Sequence, residues 1–135
     1  MTVLAIDQGT SGTKAIVVDP EAGVCSLAEV PVHPRYLDGG GVEQDPTELL
    51  ESVLAAGRAA VASAGRPIDV VSLANQGETV LAWSPDTGRP LTQAIVWQDR
   101  RAEPLCAEEI IASSALAPHN GFHLEPRCRI CPLRF

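Results

Sequence analysis

Lysine occurs once in these 135 residues, at Lys14, and the formal net charge is −7. A nucleic-acid surface needs clustered Lys and Arg, so the composition argues against that class of partner. No apolar run approaches the length needed to span a bilayer. Met1-Thr2-Val3 leads straight into an apolar strand, without the charged and apolar regions of a secretory signal. The expectation is a soluble, cytoplasmic chain with no membrane or nucleic-acid partner. Aromatic residues are scarce at 4%, while the apolar fraction of 45% is ordinary for a globular protein. That length leaves room for one domain with a modest core. There is no internal repeat and no low-complexity segment. Cys25 and Cys106 stand alone in apolar segments and read as small buried hydrophobes. Cys128 and Cys131 have a spacing that suits zinc or a disulfide. A second ligand pair is missing, with only His119 and His123 nearby, so coincidence in a tail is favoured.

What is present is a glycine- and hydroxyl-rich loop between two apolar strands. Val3 to Ile6 can pair with Ala15 to Val18, and Asp7-Gln8-Gly9-Thr10-Ser11-Gly12-Thr13-Lys14 joins them. Small residues let backbone N–H groups and hydroxyls turn toward a polyanion. Asp7, ending the first strand, offers a hard oxygen suited to Mg²⁺, directly or through its waters. The alternative is a plain hairpin in which Gly9 and Gly12 serve positive backbone dihedrals. The loop is neither a Walker loop nor a dinucleotide fingerprint, because those carry their glycines into a helix. This one runs into Ala15-Ile16-Val17-Val18 and stops at Asp19-Pro20.

Val24 to Pro31 reads as a third strand after a turn at residues 19–23, completing a meander. His33 to Gly41 is a polar crossing that ends in Val42-Glu43-Gln44. A helix then starts, with Asp45 as N-cap, Pro46 at the first helical position and Glu48 completing a capping box. Leu49, Leu50, Val53, Leu54 and Val61 form its expected apolar face, and Gly65 closes it. Gly57 inside the helix costs about 1 kcal/mol relative to alanine, which suggests close packing there. Ile68 to Ala74 has the continuous apolar character of a strand buried on both faces. It delivers Asn75-Gln76-Gly77-Glu78-Thr79 at its C-terminal end, where binding groups gather in open α/β sheets. Val80 to Trp83 and Ala94 to Trp97 read as a further strand pair, and Ala102 to Ser113 as a helix.

The polar groups that follow these strands suit a polyol. Glu78 can accept hydrogen bonds from two hydroxyls, and Trp97 can cover an apolar carbon face. Core packing for Trp97 and a solvated turn for Glu78 are the alternatives. Asp99, Arg100 and Arg101 either fix a loop through charge-assisted bonds or decorate a surface.

The strand–loop–strand unit resembles the first phosphate loop of the actin-like ATPase superfamily. Asp7-Gln8-Gly9-Thr10-Ser11-Gly12-Thr13-Lys14, Gly41-Val42-Glu43-Gln44-Asp45-Pro46, Asn75-Gln76-Gly77-Glu78-Thr79 and Ala94-Ile95-Val96-Trp97-Gln98-Asp99-Arg100-Arg101 occur in order. Together they resemble the N-terminal part of an FGGY-family carbohydrate kinase, glycerol kinase- or xylulose kinase-like and nearest to the glycerol kinase branch. The resemblance implies an α/β fold: an incomplete actin-like (ribonuclease H-like) βββαβ core with an inserted β-hairpin. It assigns residues 1–112 to that domain and leaves 113–135 as a divergent tail. It implies ATP-dependent phosphorylation of a polyol or ketose, with ATP and Mg²⁺ as cofactors. Asp7, Gly9, Thr10, Ser11, Gly12, Thr13 and Lys14 then bind the nucleotide phosphates, and Asp7 holds the metal. Gln76, Gly77, Glu78 and Trp97 face the substrate. The family's catalytic base is expected beyond residue 135, and the full-length parent has scope to form a homo-oligomer. A catalytically inactive fragment or interaction module with an actin-like fold is the alternative.

Two positions depart from the family pattern. Glycerol kinases carry an arginine where this chain has Gly77, which removes five donors and opens space for a larger substrate. Arg127 stands where a substrate-contacting tyrosine is expected.

Overall fold

A computed structural model describes residues 1–105 and 107 of the chain. The N-terminal meander forms as β1 (Val3–Gln8), β2 (Gly12–Asp19) and β3 (Gly23–Pro31). β1 and β2 pair antiparallel from Val3 opposite Val18 to Gln8 opposite Thr13. The turn into β3 is built by Asp19, whose Oδ1 accepts from the N–H groups of Ala22 at 3.1 Å and Glu21 at 2.9 Å. Those two bonds, Ala22 first, hold the Asp19 carboxyl below its ordinary range. Gly23 completes the turn at a φ of 75°, where a Cβ would be strained.

The helix α1 (Pro46–Ala64) starts and stops as its sequence requires. Asp45 caps it by accepting from the Thr47 N–H at 2.8 Å, and Gly65 ends it in the left-handed region. The capping box does not close. Glu48 instead accepts from the His33 N–H at 3.2 Å, tying the chain after β3 to the first helical turn.

The buried face of α1 differs from the expected leucine face. Ser52, Ala56, Gly57 and Ala60 are its buried residues, while Leu50 is 59% and Leu54 44% exposed. A helix lying flat on a sheet brings its backbone nearest along its centre line, and only small side chains fit there. A Cβ on Gly57 would stand 3.3 Å from Ile6 Cδ1, so the expected close packing is real. Leu4, Ile6, Ala15 and Val17 meet Ala56 and Ala60 to form the core. Cys25 is half-buried at its margin. Cys106, Cys128, Cys131, His119 and His123 lie outside the described residues.

After α1 the chain returns as β6 (Val70–Asn75), parallel to β1, and gives a sheet of order β3-β2-β1-β6. This is the expected βββαβ arrangement, with one correction. All six β6 residues are exposed, Val71 and Leu73 each to 62%, so the strand is not buried on both faces. α1 packs over β1, β2 and β3 and stops short of β6.

A second, three-stranded sheet comprises β4 (Arg35–Tyr36), β5 (Val42–Gln44) and β7 (Ala94–Ile95), in that order. The crossing at 33–44 thus contains two short strands where none was expected. The expected hairpin is reduced to two bridges, Val80–Ile95 and Trp83–Pro90, and Trp97 lies outside any strand. Pro85 and Pro90 lack the N–H groups that a longer ladder would need. A helical turn begins at Glu103; the remainder of the expected 102–113 helix, and the tail from 113, lie outside the described residues apart from Ala107.

Candidate functional site

The loop between β1 and β2 closes tightly. Gly9 N–H donates to the Gly12 carbonyl at 2.9 Å. Neither glycine is among the positive-φ residues. Their necessity is spatial: a Cβ on Gly9 would stand 3.1 Å from Gly12 O, and one on Gly12 3.2 Å from Val30 O. Thr10 and Ser11 form the tip, and among the described residues their backbone N–H groups have no intramolecular partner. Two neighbouring unpaired amides at a loop tip are suited to an anion.

Strand alternation divides the remaining loop residues between the two sheet faces. Asp7 and Lys14 are opposite one another in the ladder, exposed, on the face away from α1. Lys14 also reaches Glu29 at 3.8 Å, an exposed pair that water screens. Thr13 points the other way and is fully buried. The Ser52 hydroxyl gives its proton to Leu49 O at 2.7 Å, so Thr13 donates to Ser52 across 2.7 Å. The Thr13 side chain thus fastens the loop to α1.

Thr10 is the hub of the site. Its hydroxyl donates to Gln76 Oε1 at 2.8 Å and accepts from the Trp97 indole N–H at 2.9 Å. Gln76 Nε2 donates to Gln44 Oε1 at 2.6 Å, and Gln44 Nε2 donates to the Thr10 carbonyl at 2.8 Å. Three glutamine- and threonine-bearing segments, from the loop, β5 and the end of β6, thus close a ring with Trp97 attached. Oε1 and Nε2 of Gln76 each make one bond within the protein, so its side chain bridges the loop and β5. Trp97 is anchored by its N–H and 38% exposed, which excludes simple core packing.

Gln44 is the residue that sequence reasoning missed. It is 1% exposed, at an inward position of β5 beside buried Val42. An amide at an inward strand position needs partners, and that requirement was the available signal.

Gly77 and Glu78 follow Gln76 on an exposed turn. A Cβ on Gly77 would meet nothing within 4 Å, so the space is open. Glu78 has a φ of 58°, a left-handed conformation that costs a non-glycine residue about 1–2 kcal/mol. Such strain concentrates in loops that present side chains to ligands. Among the described residues Glu78 makes no hydrogen bond to the ring, so ring and carboxylate remain separate features of one rim.

A charged clamp holds the other side. Asp99 accepts from Val42 N–H at 2.7 Å and from Arg101 Nε at 2.9 Å, while Arg101 Nη1 reaches Glu43 at 2.9 Å. Burial alone raises the Asp99 pKa. The Arg101 guanidinium and the Val42 and Arg101 N–H groups outweigh it and hold the carboxyl below its usual range. Asp99 and Arg101 therefore fix loop geometry, whereas Arg100 lies at the surface near Glu103, at 3.8 Å.

The βββαβ sheet, with its β1–β2 loop against the Trp97 indole, is the arrangement of the actin-like ATPase fold. The N-terminal domain of the FGGY family of carbohydrate kinases matches residues 2–127, and the chain belongs to that family. It is 43% identical over 129 residues to the glycerol kinase of Leptothrix cholodnii, covering 92% of this chain and 26% of that protein. To the glycerol kinase of Verminephrobacter eiseniae it is 46% identical over 109 residues, covering 78% and 21%. Plasmodium falciparum glycerol kinase with ADP superposes with a TM-score of 0.80 at 26% identity, over 93% of this chain and 26% of that one. The xylulose kinase of Rhodospirillum rubrum shares the fold, with a TM-score of 0.73 over 87% of this chain and 24% of its own. The chain spans about a quarter of the length of these curated relatives. Among the described residues no helix is long and apolar enough to cross a membrane.

Proposed function

We propose that this chain carries the first phosphate loop and one wall of the acceptor pocket of an ATP-dependent carbohydrate kinase acting on a polyol or ketose hydroxyl. The observation that carries the reading is the Thr10 hydroxyl, which belongs to the loop yet touches the Trp97 indole at 2.9 Å. Phosphoryl transfer needs donor phosphate and acceptor hydroxyl held in line, so the two sites must adjoin.

The unpaired N–H groups of Thr10 and Ser11, with Lys14 nearby, suit the terminal phosphates. Asp7 suits Mg²⁺ held through its water shell, since one exposed carboxylate beside phosphates is the usual protein share for that ion. A Mg²⁺ ion held there would supply neutralisation of the charge on the transferring group. Trp97 covers the carbon face and excludes water, Glu78 accepts from hydroxyls, and the gap at Gly77 admits a substrate larger than glycerol. Among the described residues no group stands as a general base. The base is assigned to the longer kinase, and the 135-residue chain alone is catalytically silent in this reading.

The test is Asp7→Asn in a full-length kinase carrying this segment, assayed with Mg·ATP and a panel of polyols and ketoses. Mg·ATP affinity should fall roughly tenfold or more, the weight of one charge-assisted contact. Unchanged nucleotide affinity and turnover would reduce the loop to a plain hairpin.

A further inference from the structure

The hydrogen bonds of the ring have only one consistent direction. The Thr10 carbonyl can only accept, so Gln44 must present its Nε2 there and its Oε1 to Gln76. Gln76 must then offer Nε2 to Gln44 and Oε1 to Thr10, whose hydroxyl donates to it. The remaining lone pairs of that hydroxyl face the Trp97 indole, which can only donate. An acceptor-only group starts the sequence, a donor-only group ends it, and no amide can flip without breaking a bond. Gln44 is fully buried, and its side chain is linked to the Trp97 indole through this relay.

We infer that Gln44 is a positioning residue: acting through Gln76 and the Thr10 hydroxyl, it sets the orientation of the Trp97 indole and so registers the acceptor pocket against the phosphate loop. The inference rests on the kinase reading for its functional meaning, but the relay is measurable without any ligand. Removing the Thr10 hydroxyl or the Gln44 amide releases the indole, and neither change alters the indole itself.

The test uses the 135-residue chain at sub-micromolar concentration with Trp83→Phe, which leaves Trp97 as the sole tryptophan of the two. Thr10→Val and Gln44→Met are expected to shift Trp97 emission to the red and to raise its quenching by acrylamide. Thr10→Ser, which keeps the hydroxyl, should restore the parental signal. Ser26→Ala, which loses a buried hydroxyl bond to the Ala60 carbonyl away from the loop and the ring, should leave it unmoved. Should Gln44→Met fail to fold, Gln76→Met, which cuts the relay between Gln44 and the Thr10 hydroxyl, takes its place, and a parental signal there overturns the inference. Parental emission and quenching in Thr10→Val, or in a folded Gln44→Met, overturn the inference, as does an equal disturbance in Ser26→Ala. In a full-length kinase the same Gln44→Met change should raise the acceptor KM roughly fivefold, the weight of one hydrogen bond, with kcat little changed. Absence of phosphoryl transfer in the parent would remove the kinase reading and leave the ligand-free fluorescence result standing.

Discussion

Asp99 illustrates how a single buried charge can hold a loop. Its side chain is 5% exposed and is satisfied by the backbone N–H groups of Val42 and Arg101 together with the Arg101 guanidinium. Charged groups withdrawn from water in this way are costly unless fully paired, and here the pairing wins, since the carboxyl titrates below its ordinary range. A depressed folded pKa gives stability that is complete above the unfolded value of about 3.9 and is lost as pH falls through the folded value. Asp99→Asn should therefore destabilise the chain by about 1–3 kcal/mol at neutral pH. It should also flatten the acid limb, as read from urea midpoints at pH 7 and 3. An undiminished acid limb in the variant would place the titration elsewhere. At Gly77 the outcome concerns specificity. Because an added side chain meets open space, Gly77→Arg should be tolerated. In a full-length kinase its guanidinium fork should then raise the preference for glycerol relative to ketoses. No rise in that ratio would remove Gly77 from the pocket. The loop glycines were legible as required residues. Their reason was not, because a 3.1 Å approach to a carbonyl depends on how the hairpin closes, not on local dihedral preference.

The elements that local chemistry specifies were legible nearly to the residue. Asp45, Pro46 and Gly65 bound α1 because capping involves only neighbours in the chain. The choice of buried face was not, because it depends on what the helix lies against. Leucines mark an apolar stripe, but the sheet accepts the small residues Ala56, Gly57 and Ala60 at closest approach and leaves Leu50 and Leu54 flanking. Gln44 was hidden for a related reason. Its partners Thr10 and Gln76 are 34 and 32 residues distant in sequence, beyond any spacing rule. The close approach has a measurable consequence. Ala60→Leu should cost about 1–3 kcal/mol by overpacking, whereas Leu54→Lys should change stability by less than about 0.5 kcal/mol. Chemical denaturation of the 135-residue chain gives both values, and a larger loss at Leu54 would restore the leucine face.

At the scale of the whole molecule, β6 is the exposed flank. The continuous apolar run at 68–74 correctly marked a strand, and the sequence pattern implied a cover on both faces that the described residues do not supply. Val71 and Leu73 stand on the α1 side of the sheet, in register with Leu4 and Ile6, yet α1 does not extend over them. Among the described residues only β1 pairs with β6, which leaves the N–H and C=O groups of its outer edge without strand partners there. An apolar edge of this kind invites pairing with another chain. At about 25 cal/mol per Å², a few hundred Å² left uncovered forfeits several kcal/mol, comparable with the entire stability of a small domain. The 135-residue chain alone should therefore self-associate at micromolar concentration or unfold at low denaturant. Leu73→Lys, placing a charge on the bare edge, should shift it toward monomer without altering the β1–β2 loop. Sedimentation velocity across a concentration series measures both. A monomeric parent with a cooperative, high-temperature transition would show that the β6 flank needs no cover.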